Sequence, residues 1–299
     1  MTKGIALLEH INLAIEASGD VTTATGRFYL DVLGCARDPR LDWMVHANVG
    51  LGQFHLLPNQ PGNQRINGEI ALFFSNLDDL VARVRDHGHK LEVNVGDMAP
   101  GSISSWNFAQ ATYVYRHLVL HDPSGNRIVC FQSPQGYVDQ SRALGAHPGA
   151  AAHGDGLAYI KFLVRPGAAR GIGAFYEQLL GAEVTTQSVV ATPALQSSSV
   201  TCGPLQQLIF EETSALLHPY DGHHICIYVH DFEGSYKACA AKQLVWTNPI
   251  FEDKCDSWEE TQKWDQYRIL HIVDPATNER LLELEHEIRP LHHSRCPLK

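Results

Sequence analysis

Two periods of apolar and polar positions alternate along the chain, and each change of period marks an element. Residues 70–74, Ile-Ala-Leu-Phe-Phe, form a continuous apolar run, the pattern of a strand covered on both faces. Asn67-Gly68 marks the turn before it, and Glu69 heads it. Directly afterwards Leu77, Leu80, Val81 and Val84 recur at helical spacing and predict a helix over 77–87 that Gly88 stops. The same order stands upstream. An apolar strand at 11–15 precedes a helix predicted over 23–33, with Phe28, Val32 and Leu33 on one face and Gly34 after its end. Strand-like segments follow each helix: WMVHANVG and GQFHLLP after the first, and finally NRIVCF after the second.

The chain then repeats itself. GRFYLDVLGC at 26–35 returns as GAFYEQLLGA at 173–182, and EIALFFSNLDDL at 69–80 returns as HICIYVHDFEGS at 224–235. HDPSGNRIVCF at 121–131 returns more loosely as VDPATNERLLEL at 273–284. Conserved order with changing loop lengths implies two divergent copies of one unit. We expect a first domain over 1–134, a linker over 135–155, rich in Ala, Gly and polar residues, and a second domain over 156–299.

Composition narrows the classes. The chain has 299 residues, long enough for two ordinary domains or one large one, and is 44% hydrophobic and 19% charged, a globular composition. A formal charge of −10 without a Lys/Arg cluster argues against nucleic acid as a partner. No apolar run reaches the roughly 20 residues that span a bilayer, so no membrane partner is expected. Seven scattered cysteines without C-x-x-C pairs suit reduced thiols and a cytoplasmic location.

The segments EHINLAI, GRFYLDVLG, GEIALFFSNLDDLVARVRDHG and HDPSGNRIVCF resemble the vicinal oxygen chelate superfamily, which includes glyoxalase I, extradiol dioxygenases and bleomycin-type resistance proteins. The resemblance covers nearly the whole chain outside the linker. It implies an α+β fold of four βαβββ modules forming two half-open barrels, with one divalent metal held by His and Glu side chains from the first and last strands of the modules. In the first copy the matching positions are His10, His55 and Glu69, the last where histidine is more familiar. Val129 stands at the usual closing glutamate. Gln53 shares a strand face with His55, so a register slip of two residues would substitute it. Two imidazoles and one carboxylate leave room for water, oxygen or a chelating substrate and suit Fe2+, with Zn2+, Mn2+ or Ni2+ as alternatives.

The second copy is poorer in such residues. Tyr159 stands at the opening position and Gln207 at the next. His224 matches Glu69, and Glu283 reaches the closing position if the ATNE turn carries two extra residues. For the chemistry, His46 and His117 are candidates for proton transfer and Arg116 for binding a carboxylate. Trp43, Phe54 and Trp106 are candidate apolar walls. With one carboxylate at the metal, oxygenase chemistry on a small oxygenated or aromatic compound stands ahead of a glyoxalase-type lyase or isomerase. The first copy holding the fuller site departs from extradiol enzymes. A metal-free small-molecule binding or resistance protein, or a scaffold, is the alternative, and the family pattern also allows a homodimer.

Overall fold

A computed structural model of the chain describes residues 4–15, 23–58, 62–96 and 115–299, with the backbone alone at 93–96 and 115–116. In chain order the elements begin with β1 (Ile5–Ala14), α1 (Ala24–Arg27), β2 (Ala36–Arg37), β3 (Val45–Val49), β4 (Gly52–Leu57), β5 (Gly68–Phe74) and α2 (Leu77–Asp86). There follow β6 (Glu92–Gly96), β7 (Tyr115–His121), β8 (Arg127–Gln132), α3 (Tyr137–Leu144), β9 (Gly156–Val164) and α4 (Ala169–Leu180). The last third adds β10 (Val184–Val189), β11 (Thr192–Cys202), β12 (Gln206–Glu212), β13 (His224–Val229), α5 (Phe232–Ala241), α6 (Trp258–Trp264), β14 (Tyr267–Val273) and β15 (Arg280–Pro290). The chain divides into two compact units. The first comprises His10–Lys161 with Pro297–Lys299, and the second comprises Phe162–Cys296 with the N-terminal residues to Glu9.

In the first unit β1 pairs in parallel with β4, which pairs antiparallel with β3, and β3 with β2. A second ladder of the same form pairs β5 in parallel with β8, then β8 with β7 and β7 with β6. Sequence dictates the helices locally. Thr23 caps α1 by accepting from the Gly26 N–H, and the helix continues as a π-helical turn over Phe28–Val32. Gly34, with φ of +71°, ends this segment in a backbone region that costs glycine little. Asn76 caps α2 by accepting from the Asp78 and Asp79 N–H groups, and Leu77, Leu80, Val81 and Val84 form its buried stripe. The segment expected as a linker, 135–155, carries α3, and its end is hydrogen-bonded into the unit through His153 N–H to Gly34 O and Asp155 N–H to Phe73 O.

In the second unit β13 pairs in parallel with β15, and β14 lies antiparallel on the other side of β15. β10, β11 and β12 form an antiparallel ladder under α4, whose buried face includes Ile172, Phe175, Tyr176 and Leu179. Gln206 anchors the start of β1 from this unit, accepting from the Leu8 N–H at 3.0 Å and donating to the Leu8 carbonyl at 2.8 Å. Phe175, Tyr176, Phe210, Tyr228 and Tyr267 are fully buried, each contributing about 1.5–3 kcal/mol of apolar transfer. No helix among the described residues is long and apolar enough to cross a membrane.

Candidate functional site

Three parallel strand pairs share one register, and that register sets which side chains meet. His10 stands opposite Gln53, Glu69 opposite Arg127, and His224 opposite Glu285. Two residues further on, on the same strand faces, Asn12 stands opposite His55, Ala71 opposite Val129, and Cys226 opposite Glu287. Val129 on β8 and Glu287 on β15 therefore hold the same register position. Glu283, the residue expected there, is four positions earlier, half-exposed, and 3.7 Å from the His271 imidazole.

In the second unit His224 Nε2 lies 3.9 Å from Glu287 Oε2, and both side chains are buried. Period 2 on β15 puts Glu285, Glu287 and Arg289 on one face. Arg268 on β14 binds three carboxylates: Asp253 at 2.8 Å, Glu285 at 2.7 Å and Glu287 at 2.7 Å. Its guanidinium also stacks over the Phe251 ring at 4.3 Å. Arg289 pairs with the other oxygen of Glu287 and lies 3.6 Å from Glu9. Burial works against the charge of Arg268, but Glu287, Asp253 and Glu285 outweigh it and raise its pKa. For Glu285 burial dominates, so its carboxyl sits above the usual range although Arg268 and Asn248 both bind it.

The first unit brings three of the expected histidines together. His55 is stacked between His10, at 3.6 Å between centroids, and His46, at 3.7 Å. The His10 and His55 planes are inclined by only 23°, and those of His46 and His55 by 2°. Imidazole lone pairs lie in the ring plane, and planes this nearly parallel do not converge within the ~2.1 Å of a metal–nitrogen bond. In this arrangement His10 and His55 do not chelate one ion.

Glu69 is committed elsewhere. Its carboxylate accepts from the Tyr159 hydroxyl at 2.9 Å, pairs with Lys161 Nζ at 3.0 Å and is bound by the Arg127 guanidinium. Burial alone would raise its pKa; the charges of Lys161 and Arg127 reverse that and hold it below the usual carboxylate range. Among the described residues, no close-set trio of His, Cys, Asp or Glu donors includes Glu69 or His55. His117 lies on β7, 5.6 Å from the Phe131 ring, with Nδ1 buried and bonded to none of the described residues. Arg116 lies on the same strand with its side chain outside the described residues, as is Trp106. Trp43 is 58% exposed, and Phe54 is core, 4.6 Å from Tyr29.

The sequence reading missed Glu285, Glu287, Arg268 and Arg289. The signal was present in ELEHEIR, where carboxylates at alternate positions and a closing arginine mark one strand face.

No family model matches the chain, and no curated protein matches it in sequence. Solved structures match it in fold. A glyoxalase I variant from Zea mays superposes with a TM-score of 0.59 at 14% identity, over 95% of this chain and 92% of that one. Zea mays glyoxalase I itself gives 0.56 at 13% identity, over 95% and 92%. A Bacillus subtilis protein, described only provisionally as a dioxygenase, gives 0.54 at 11% identity, over 97% and 86%. The chain shares the α+β fold of glyoxalase I across nearly its whole length.

Proposed function

We propose that the chain is a divalent-metal-dependent enzyme acting on a small oxygenated or aromatic compound, with His224 and Glu287 as metal ligands. The observation that carries this reading is the approach of His224 Nε2 to Glu287 Oε2, at 3.9 Å, inside a buried polar face. The donor set fits: imidazole and carboxylate together suit Fe2+, Mn2+, Zn2+ or Ni2+. Charge fits as well. Within the second unit the carboxyl groups of Glu9, Asp253, Glu285 and Glu287 outnumber the guanidiniums of Arg268 and Arg289 that they share.

A metal bound there would polarise oxygen atoms of a chelating substrate. The protein's own residues do the rest. Arg268 and Arg289 fix the Glu287 carboxylate from both oxygens, so its orientation is set before any ligand arrives. Glu285, with its raised pKa, holds a proton more readily than an exposed glutamate and is the proton-handling candidate of this unit. His46 and His117 remain candidates for proton transfer and Arg116 for carboxylate binding in the first unit. The glyoxalase and dioxygenase folds among the structural neighbours support both lyase and oxygenase chemistry. We favour the oxygenase.

Two assays test this reading: oxygen uptake by Fe2+-loaded protein on a panel of catechols, and consumption of a 2-oxoaldehyde with thiol by Ni2+- or Zn2+-loaded protein. Uptake on a catechol, absent in His224→Ala, supports the oxygenase; thiol-dependent loss of the oxoaldehyde supports the lyase. Inactivity in both, with tight catechol binding that no metal alters, would support a metal-free binding protein. One observation favours that alternative: both oxygens of Glu287 already carry a guanidinium.

A further inference from the structure

From the first unit we infer that Asp38, acting through Gln53, fixes His55 as the tautomer protonated on Nε2, so that Nδ1 is the ring atom that presents a lone pair. This inference concerns the first unit and does not rest on where the metal binds.

Two groups at the far end of this chain of bonds can only accept. Asp38 has a fully buried side chain, and Arg40 binds its carboxylate through Nε, at 3.0 Å to each oxygen, and through the Arg40 N–H at 2.9 Å. Burial raises the Asp38 pKa, but the bonds and charge of Arg40 outweigh it, so the group is an ionised acceptor. The second fixed acceptor is the Pro148 carbonyl, which takes a hydrogen bond from Asn48 Nδ2 at 3.0 Å. That bond turns the Asn48 amide so that Oδ1 faces Gln53.

Gln53 Nε2 lies 2.8 Å from Asp38 Oδ2 and 2.5 Å from Asn48 Oδ1. Both neighbours are acceptors, so the nitrogen end of the Gln53 amide must face them; the reverse orientation would set oxygen against oxygen twice. Gln53 Oε1 then faces His55 Nε2 at 2.9 Å and can only accept. The proton of that bond must come from His55 Nε2. The direction of every bond from Asp38 and Pro148 to the imidazole follows from the chemistry of the two ends.

Two consequences follow. Gln53, which the register sets beside His10, spends both ends of its amide on this relay and is a positioning residue. If His55 ligates an ion or accepts a proton, it does so through Nδ1. The stacking of His55 between two other imidazoles restricts rotation of the ring that would exchange the two nitrogens.

Nitrogen-15 NMR of histidine-labelled full-length protein tests the relay. We expect His55 as a single tautomer protonated on Nε2, with a slowly exchanging proton. In Gln53→Leu and in the gentler Asp38→Asn, that proton should exchange roughly tenfold faster or more, as expected on losing one buried hydrogen bond or its orienting partner. The overall fold, read from the amide spectrum of Asp38→Asn, should persist. A His55 protonated on Nδ1 in the wild type would overturn the inference. So would unchanged tautomer and exchange in Asp38→Asn.

Discussion

His224 and Glu287 meet at 3.9 Å across the parallel pair β13 and β15, one residue at the opening of its strand and the other one register step further in. The corresponding residues of β5 and β8 are Glu69 and Val129. The first pair combines an imidazole with a carboxylate; the second couples a carboxylate with an inert side chain and hands that carboxylate to Lys161 and Arg127. Internal cations thus satisfy Glu69, whereas the His224–Glu287 pair combines two metal-ligand types.

Arg268→Met should be strongly destabilising. It leaves Asp253, Glu285 and Glu287 buried without their shared guanidinium. Removing one partner of a buried ion pair costs about 3–5 kcal/mol. Urea unfolding measures the change, and a loss under about 1 kcal/mol would show that the network is solvated.

Glu69 gives an acid-dependent contribution whose sign is fixed. Its folded pKa is depressed, so the stabilisation is present above the ordinary glutamate pKa and lost as pH falls through the lower folded value. Glu69→Gln should flatten the acid limb of stability against pH below about pH 4.5. An acid limb identical to that of the wild type would contradict the pairing with Lys161 and Arg127.

How much of this was legible in sequence depends on the element. The strand at 70–74 and the helix after it were readable because Leu77, Leu80, Val81 and Val84 keep one period and Asn76 and Gly88 punctuate it. Helix α3 was not, since Tyr137 and Ser141 alone form its buried face in a segment otherwise rich in alanine and glycine. At the candidate site, His224 was identified and Glu287 was not. Glu283, Glu285 and Glu287 have the same parity on β15, so periodicity cannot choose among them; the choice is made by the register of β15 against β13. The pairing of Glu69 with Lys161 was equally hidden, because it joins residues far apart in the chain.

Thiol chemistry should report the burial of the cysteines. Six of the seven are buried, Cys296 is half-buried, and none forms a disulfide. Burial pushes the Cys35 thiol up to about 12, far from thiolate formation at neutral pH. A thiol reagent at pH 8 should label Cys296 first and the other six only after denaturant is added. Rapid native labelling of Cys35 would contradict the packing around it.

Capping of α2 gives a local test. Asn76→Ala removes the acceptor for the Asp78 and Asp79 N–H groups, at 3.0 and 3.2 Å, and should cost about 1 kcal/mol in thermal or urea unfolding. No measurable change would mean that packing alone sets the start of this helix.

The enzyme reading stands on a divalent metal held by His224 and Glu287. Its most direct test is elemental analysis of protein purified anaerobically without chelator or affinity tag, beside His224→Ala and Glu287→Gln. About one equivalent of a transition metal per chain is expected, lost in both variants while Glu69→Gln retains it. Full metal content in His224→Ala and Glu287→Gln, or its loss in Glu69→Gln, would rule out His224 and Glu287 as the ligands.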